Sequence, residues 1–241
     1  MRKSAEPKHE PVARVPPDAR RRQLLDEAAR ILTEQGMEEL QITEVAERAG
    51  VSRPLVYRQF PSRKALVRAL LEDFTALVNE RFHHALLRAL PGTTIESITT
   101  AFVEASCDAI EQRGAGPWQL LDARGADPEI ARVGREIFAR LLDPWQAQLA
   151  GFIGTTPRRA ESLLWVIVAA GRAALDGWID GGLSRAEAVR DATTAVSALL
   201  VAFTQPKSTS TIEVEPIAET HAPRKAKRKP PVPKKQQRKA R

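Results

Sequence analysis

Within 22 residues the chain places Thr43, Ser52, Arg53, Pro54, Tyr57, Arg58, Gln59 and Lys64. The chemistry these side chains share is recognition of phosphates and base edges rather than bond making. Hydroxyl, amide and ammonium groups near helix N-termini hold phosphates and set register without reading sequence, and that is the part expected of Thr43, Ser52, Tyr57, Gln59 and Lys64. Arg53, Pro54 and Arg58 are expected at base edges, because arginine pairs bidentately with guanine O6 and N7 and a proline ring touches a thymine methyl. Between positions 48 and 64 the charged residues are Arg48, Arg53, Arg58, Arg63 and Lys64, with no acid among them. Such a segment attracts a polyanion. Enzyme signatures are missing: the chain has no Gly-rich phosphate loop, no GxSxG and no His-x-Glu metal spacing, and adjacent His83 and His84 point in different directions on a helix. No catalytic residue, metal or cofactor is expected.

Two short helices and a tight turn must position those groups. Ile42, Val45, Ala46 and Ala49 share one face at helical spacing, with Thr43 as the expected N-cap. Gly50 ends that helix, since a residue just past a helix end often takes a positive φ at which glycine has no Cβ penalty. Ser52 recaps the chain, and a second helix is expected from Arg53 to Phe60 with Pro54 in its first turn. Leu55, Val56 and Phe60 pack inward, leaving Arg53, Tyr57 and Arg58 outside. A preceding helix, from about Asp18 to Gln35, presents Leu24, Leu25, Ala28, Ile31 and Leu32 on one face and completes a three-helix unit.

Thr43, Ala49-Gly50-Val51-Ser52, Tyr57 to Phe60 and Lys64 together resemble the signature of the TetR family of bacterial transcriptional repressors. The resemblance is specific over residues 18 to 75 and extends by helix pattern and length alone over residues 76 to 204. One departure is Gln59, where the family commonly has His. The resemblance implies an all-α homodimer with an N-terminal helix-turn-helix DNA-binding domain and a larger helical effector-binding domain. It also implies that a long helix linking the two moves the recognition helix when effector binds.

The remaining sequence fits that outline. Arg63 to Leu90 reads as the linking helix, with a stripe of Leu66, Ala69, Leu70, Phe74, Leu77 and Val78 and a Pro91-Gly92 stop. Further helices are expected from Thr94 to Arg113, around Trp118 to Arg124, and from Pro128 to Ile153, where Pro144 should kink or divide the helix. The aromatic content suits an apolar effector cavity, for which Phe74, Phe102, Trp118, Leu121, Phe138 and Trp165 are the candidates. Phe102 and Trp118 lie on helices that line the pocket in the family. Asp122 and Arg124 are weaker candidates for polar anchors. The last two helices, about Pro157 to Asp180 and Ser184 to Gln205, are rich in small residues, which let helices approach closely. Their stripes make Leu164, Val168, Gly171, Leu175, Val196, Leu199, Leu200 and Phe203 candidates for a dimer interface, and in the family these two helices pair into a four-helix bundle.

The domain plan is therefore a flexible arm over 1–17, the DNA-binding domain over 18–64, the effector-binding and dimerisation domain over 65–204, and a tail over 205–241. Ten of the 37 cations fall between Arg224 and Arg241 with no acid, so the other 27 face all 30 acids and the net charge of +7 belongs to the tail. That tail is too polar and proline-rich to offset its ordering entropy and is expected to be disordered. Cys107, the single cysteine, excludes an intramolecular disulfide and a CxxC site. The N-terminus lacks a signal-peptide apolar core, and the uninterrupted apolar runs are too short to span a bilayer, so a soluble cytoplasmic protein is expected. Expected partners are double-stranded DNA, a small apolar effector and a second copy of the chain, without a membrane. The competing class is a nucleoid-associated architectural protein that uses the basic tail.

Overall fold

The computed structural model describes residues 16–89, 94–121 and 127–204, and those residues fold into nine helices with no strand. The expected arm up to 15, the Pro91-Gly92 stop, Asp122, Arg124 and the tail from 205 lie outside the described residues. α1 (Pro17–Gln35) buries the expected face of Leu24, Leu25, Ala28, Ile31 and Leu32 and ends at Gly36 with φ 84°. α2 (Ile42–Arg48) and α3 (Arg53–Gln59) stand on it, joined by the turn at Gly50. α4 (Arg63–Ala89) runs out of this unit and buries Leu66, Leu70, Phe74 and Val78 along its stripe. The expected boundary after residue 64 thus falls in the first turn of a continuous helix.

α5 (Ile95–Arg113) starts at a capping box in which Thr94 and Ser97 exchange backbone and side-chain bonds. α6 (Ala115–Leu120) begins three residues before Trp118, with Pro117 in its first turn, earlier than the sequence predicts. α7 (Pro128–Ile153) is capped by Asp127 and continues through Pro144 as one helix, so Pro144 does not divide it. It packs on both α4 and α8, so tertiary contacts outweigh the local cost of the ring. α8 (Pro157–Ile179) and α9 (Arg185–Thr204) form the most extensive helix pair. α5, α6 and α7 pack on α4, and α8 and α9 pack in turn on α7 and α5. The 23-residue α8, with a best-window mean hydropathy of 1.4, is long and apolar enough to cross a bilayer by length and composition, which the shorter uninterrupted runs are not. In this fold it packs against α7 and α9 and carries the Arg172–Asp176 ion pair.

Candidate nucleic-acid interface and inner cavity

The turn between α2 and α3 follows from local hydrogen bonding. Val51 N–H reaches the Ala46 carbonyl at 2.9 Å and Gly50 N–H the Glu47 carbonyl at 3.1 Å, the paired bonds of a Schellman turn. Gly50 supplies its φ of 63°. Thr43 is not the N-cap: Gln41 holds that position without a side-chain cap bond, and Thr43 is the second residue of α2, half-buried in its first turn. Ser52 does occupy the N-cap of α3, but its hydroxyl makes no cap bond. Val56 and Phe60 anchor α3 in the core, with the Arg21 guanidinium 4.7 Å from the Phe60 ring centroid.

Ser52, Arg53, Pro54, Tyr57 and Arg58 are exposed together along the outer side of α3, with Gln59 half-buried at its end. The basic cluster is not uniformly available. Arg48 pairs with Glu34 at 2.7 Å and Glu44 at 3.1 Å, and the hydrogen bonds to those carboxylates raise its pKa. Arg63 donates to the Leu40 carbonyl at 2.8 Å and to that of Met37, fastening α4 to the loop before α2. Lys64 is salt-bridged to Glu129 at the start of α7. Among the described residues, Arg53 and Arg58 lie outside every ion pair. The sequence treats five cations as equivalent, whereas the fold engages three of them, Arg48, Arg63 and Lys64, with its own carbonyls and carboxylates.

Behind this unit, α5, α7, α8 and α9 leave an open cavity of about 390 Å³. Of the expected pocket residues, Phe102, Trp118 and Phe138 line it. Phe74 and Leu121 are instead sealed in the main core, and Trp165 packs edge-on to Phe138 at 5.5 Å outside the lining. Phe82, Trp145 and Arg172, which are not among the six candidates, contribute to the wall. Phe82 meets Phe102 at 5.5 Å and Trp145 at 5.2 Å, an aromatic cluster assembled from three helices. Such a set is invisible to helical periodicity, which assigns each residue to a face of its own helix only.

Several expected dimer residues also turn inward. Leu164, Val168, Gly171, Leu175, Val196 and Leu200 line the cavity, and a Cβ on Gly171 would meet Val196 Cγ2 at 3.3 Å. They serve the contact between α8 and α9 within one chain. Leu199 and Phe203 are half-buried beside them. The outward apolar face consists of Val166 and Val201, each 50% exposed, with exposed Ala169, Ala173, Ala198 and Ala202.

α6 connects the cavity to α1. Trp118 Nε1 donates to Asp176 Oδ1 at 2.8 Å, and the Arg172 guanidinium stacks 4.8 Å from the Trp118 ring centroid. Two residues earlier, Gly116 N–H donates to Thr33 Oγ1 of α1 at 3.1 Å. Nearby, Arg113 of α5 bridges Asp26 of α1 at 3.1 Å and Asp73 of α4 at 3.0 Å. Cys107 is fully buried, and burial pushes its thiol up to about 11, so it has little thiolate character.

A capped turn, a short helix with outward cations and a helical body behind it define a helix-turn-helix DNA-binding protein. Residues 24–70 match the family described as bacterial regulatory proteins, tetR family. The chain is 29% identical over 170 residues to the HTH-type transcriptional regulator BetI of Cronobacter sakazakii, covering 68% of this chain and 80% of that protein. It is 31% identical over 96 residues to an Escherichia coli regulator of the same name, spanning 40% of this chain and about half (49%) of the relative. A TetR-like transcriptional regulator from Rhodococcus sp. RHA1 shares its fold, with a TM-score of 0.60, 20% identity and coverage of 78% of this chain and 99% of that one. Residues 24–70 thus form a TetR-family DNA-binding domain, and the chain is a DNA-binding transcriptional regulator, not an enzyme.

Proposed function

We propose that the chain is a cytoplasmic, homodimeric repressor that binds a palindromic operator and is released by a small, largely apolar effector. The observation that carries the DNA reading is the outer side of α3, where Arg53, Pro54, Tyr57 and Arg58 stand exposed and neither arginine is engaged in an ion pair among the described residues. Two such helices in a dimer would enter successive major grooves about 34 Å apart. Arg53, Pro54 and Arg58 read base edges. Thr43, Ser52, Tyr57, Gln59 and Lys64 hold phosphates, Lys64 after exchanging Glu129 for DNA. The cavity supports the effector reading, and the exposed small-residue face of α8 and α9 supports pairing into a four-helix bundle.

Arg53→Ala is expected to relax specificity at one base position by ~1–3 kcal/mol. Lys64→Ala is expected to weaken operator and random DNA alike and to lower the salt slope by about one unit. Binding titrations at several salt concentrations measure both, and equal shifts for the two variants on both DNAs would overturn the division of roles. The basic tail adds a sequence-independent phosphate contact. Deleting residues 206–241 should flatten the salt dependence and leave operator preference unchanged. Broad genomic binding without a palindromic motif would favour the architectural reading instead.

A further inference from the structure

We infer that the cavity selects a lipophilic molecule carrying one hydrogen-bond-acceptor head, seated on Arg172, and that it refuses cations. The inference rests on the reading of this cavity as the effector site. Among the described residues Arg172 is the one charged residue in the lining, and its side chain is 12% exposed. The hydroxyl protons of the lining are already committed: Thr99 donates to the Ile95 carbonyl at 2.8 Å and Ser106 to the Phe102 carbonyl at 2.9 Å. Both hydroxyls then present only acceptor lone pairs to the cavity. Gln148 is exposed, at the open side. The buried donor left to orient a ligand is therefore the guanidinium.

Its existing contacts leave room for that role. Nε faces Asp176 Oδ2 at 3.4 Å and Nη1 donates to the Trp118 carbonyl at 3.2 Å, and neither contact uses Nη2. Among the described residues no acid lines the cavity, and the nearby Asp176 carboxylate is already shared by Arg172 and Trp118, so an ammonium head would lose its hydration beside a guanidinium without a free counter-charge. A carboxylate or a neutral carbonyl would gain a charge-assisted bond in an apolar surround. The same guanidinium holds Trp118 of α6, so an acceptor placed there draws directly on the contact that positions this helix.

Four probes with one lipophilic body separate the possibilities: naphthalene, 2-naphthoate, 2-acetylnaphthalene and 2-naphthylmethylammonium, measured by equilibrium dialysis against the full-length protein. The acceptor-headed probes are expected to bind roughly ten- to a hundredfold tighter than naphthalene, the gain of one hydrogen bond to a charged donor. The ammonium probe is expected to bind no better than naphthalene. Naphthoate ahead of acetylnaphthalene would assign an anionic head, and parity between them a neutral carbonyl. Arg172→Met, with its fold checked by melting, should erase the head-group preference and retain naphthalene. Arg172→Lys should keep part of the preference and provides the comparison if the Met variant does not fold. Equal binding of all four probes, or tighter binding of the ammonium, overturns the inference while leaving an apolar effector site in place. Failure of every probe removes the effector reading itself, and this inference with it.

Discussion

Arg53 and Arg172 are both arginines at a site, and they are handled in opposite ways. Arg53 stands in solvent on a seven-residue helix, outside any ion pair among the described residues. Arg172 lies under the aromatic wall, stacked on Trp118 and paired with Asp176. At the outer side of α3 the fold contributes a packed platform and leaves Arg53 and Arg58 without an ion-pair partner among the described residues. At the cavity end the working groups also belong to the framework, so occupancy there disturbs contacts that hold the fold. A surface of the first kind suits recognition without rearrangement, and a wall of the second kind suits sensing.

The contrast predicts which changes affect which end. The largest effect is expected from Phe60→Ala, because Phe60 is fully buried beneath α3. Loss of ~3–5 kcal/mol of stability, read in denaturant titrations, should destroy the platform. Gly116→Val comes next. A Cβ there would lie 2.6 Å from Leu32 Cγ and 2.9 Å from Thr33 N, so α6 must move off α1. Overpacking of that kind costs ~1–3 kcal/mol, and the operator affinity of the folded fraction should fall although no DNA-facing residue has changed. Intact affinity would mean that the seam between α6 and α1 is structural only.

The smallest effect concerns pH. The Arg68 guanidinium, at 3.0 Å, holds the Glu136 carboxyl below its usual range. A carboxyl lowered on folding contributes stability that is present above its unfolded pKa and lost as pH falls through its folded one. Melting temperature should therefore decline slightly in acid, and Glu136→Gln should remove that part of the decline. An unchanged acid limb in the variant would show that this link between α4 and α7 carries no stability.

The DNA-facing end was largely legible in the sequence because its geometry is local. Gly50, Pro54 and the spacing of Val56 and Phe60 determine the turn and its exposed side within 20 residues. What the sequence did not disclose there was competition: Arg48 and Arg63 are taken by partners from α1, α2 and the loop before α2, and Thr43 yields the cap position to Gln41. The cavity was legible only in outline. Phe102, Trp118 and Phe138 fall in its wall as expected, but Phe82, Trp145 and Arg172 reach it through the mutual placement of α4, α7 and α8. Gly171, Leu175 and Val196 show the same limit from the other side. Their apolar spacing identifies a packed face, and only the arrangement of α8 and α9 decides that the face is turned inward.

Pro144 gives α7 an uneven stiffness. Lacking an N–H, it leaves the carbonyl of Arg140 without its donor one turn later, so the rod has one missing rung near its middle. Before that rung, Glu129 and Glu136 grip Lys64 and Arg68 of α4; after it, Trp145, Leu149 and Phe152 border the cavity. A load applied to the far half of such a beam is relieved first by flexing at its compliant section. The cavity wall therefore carries a compliant section of its own, between Leu142 and Trp145, both of which border the void.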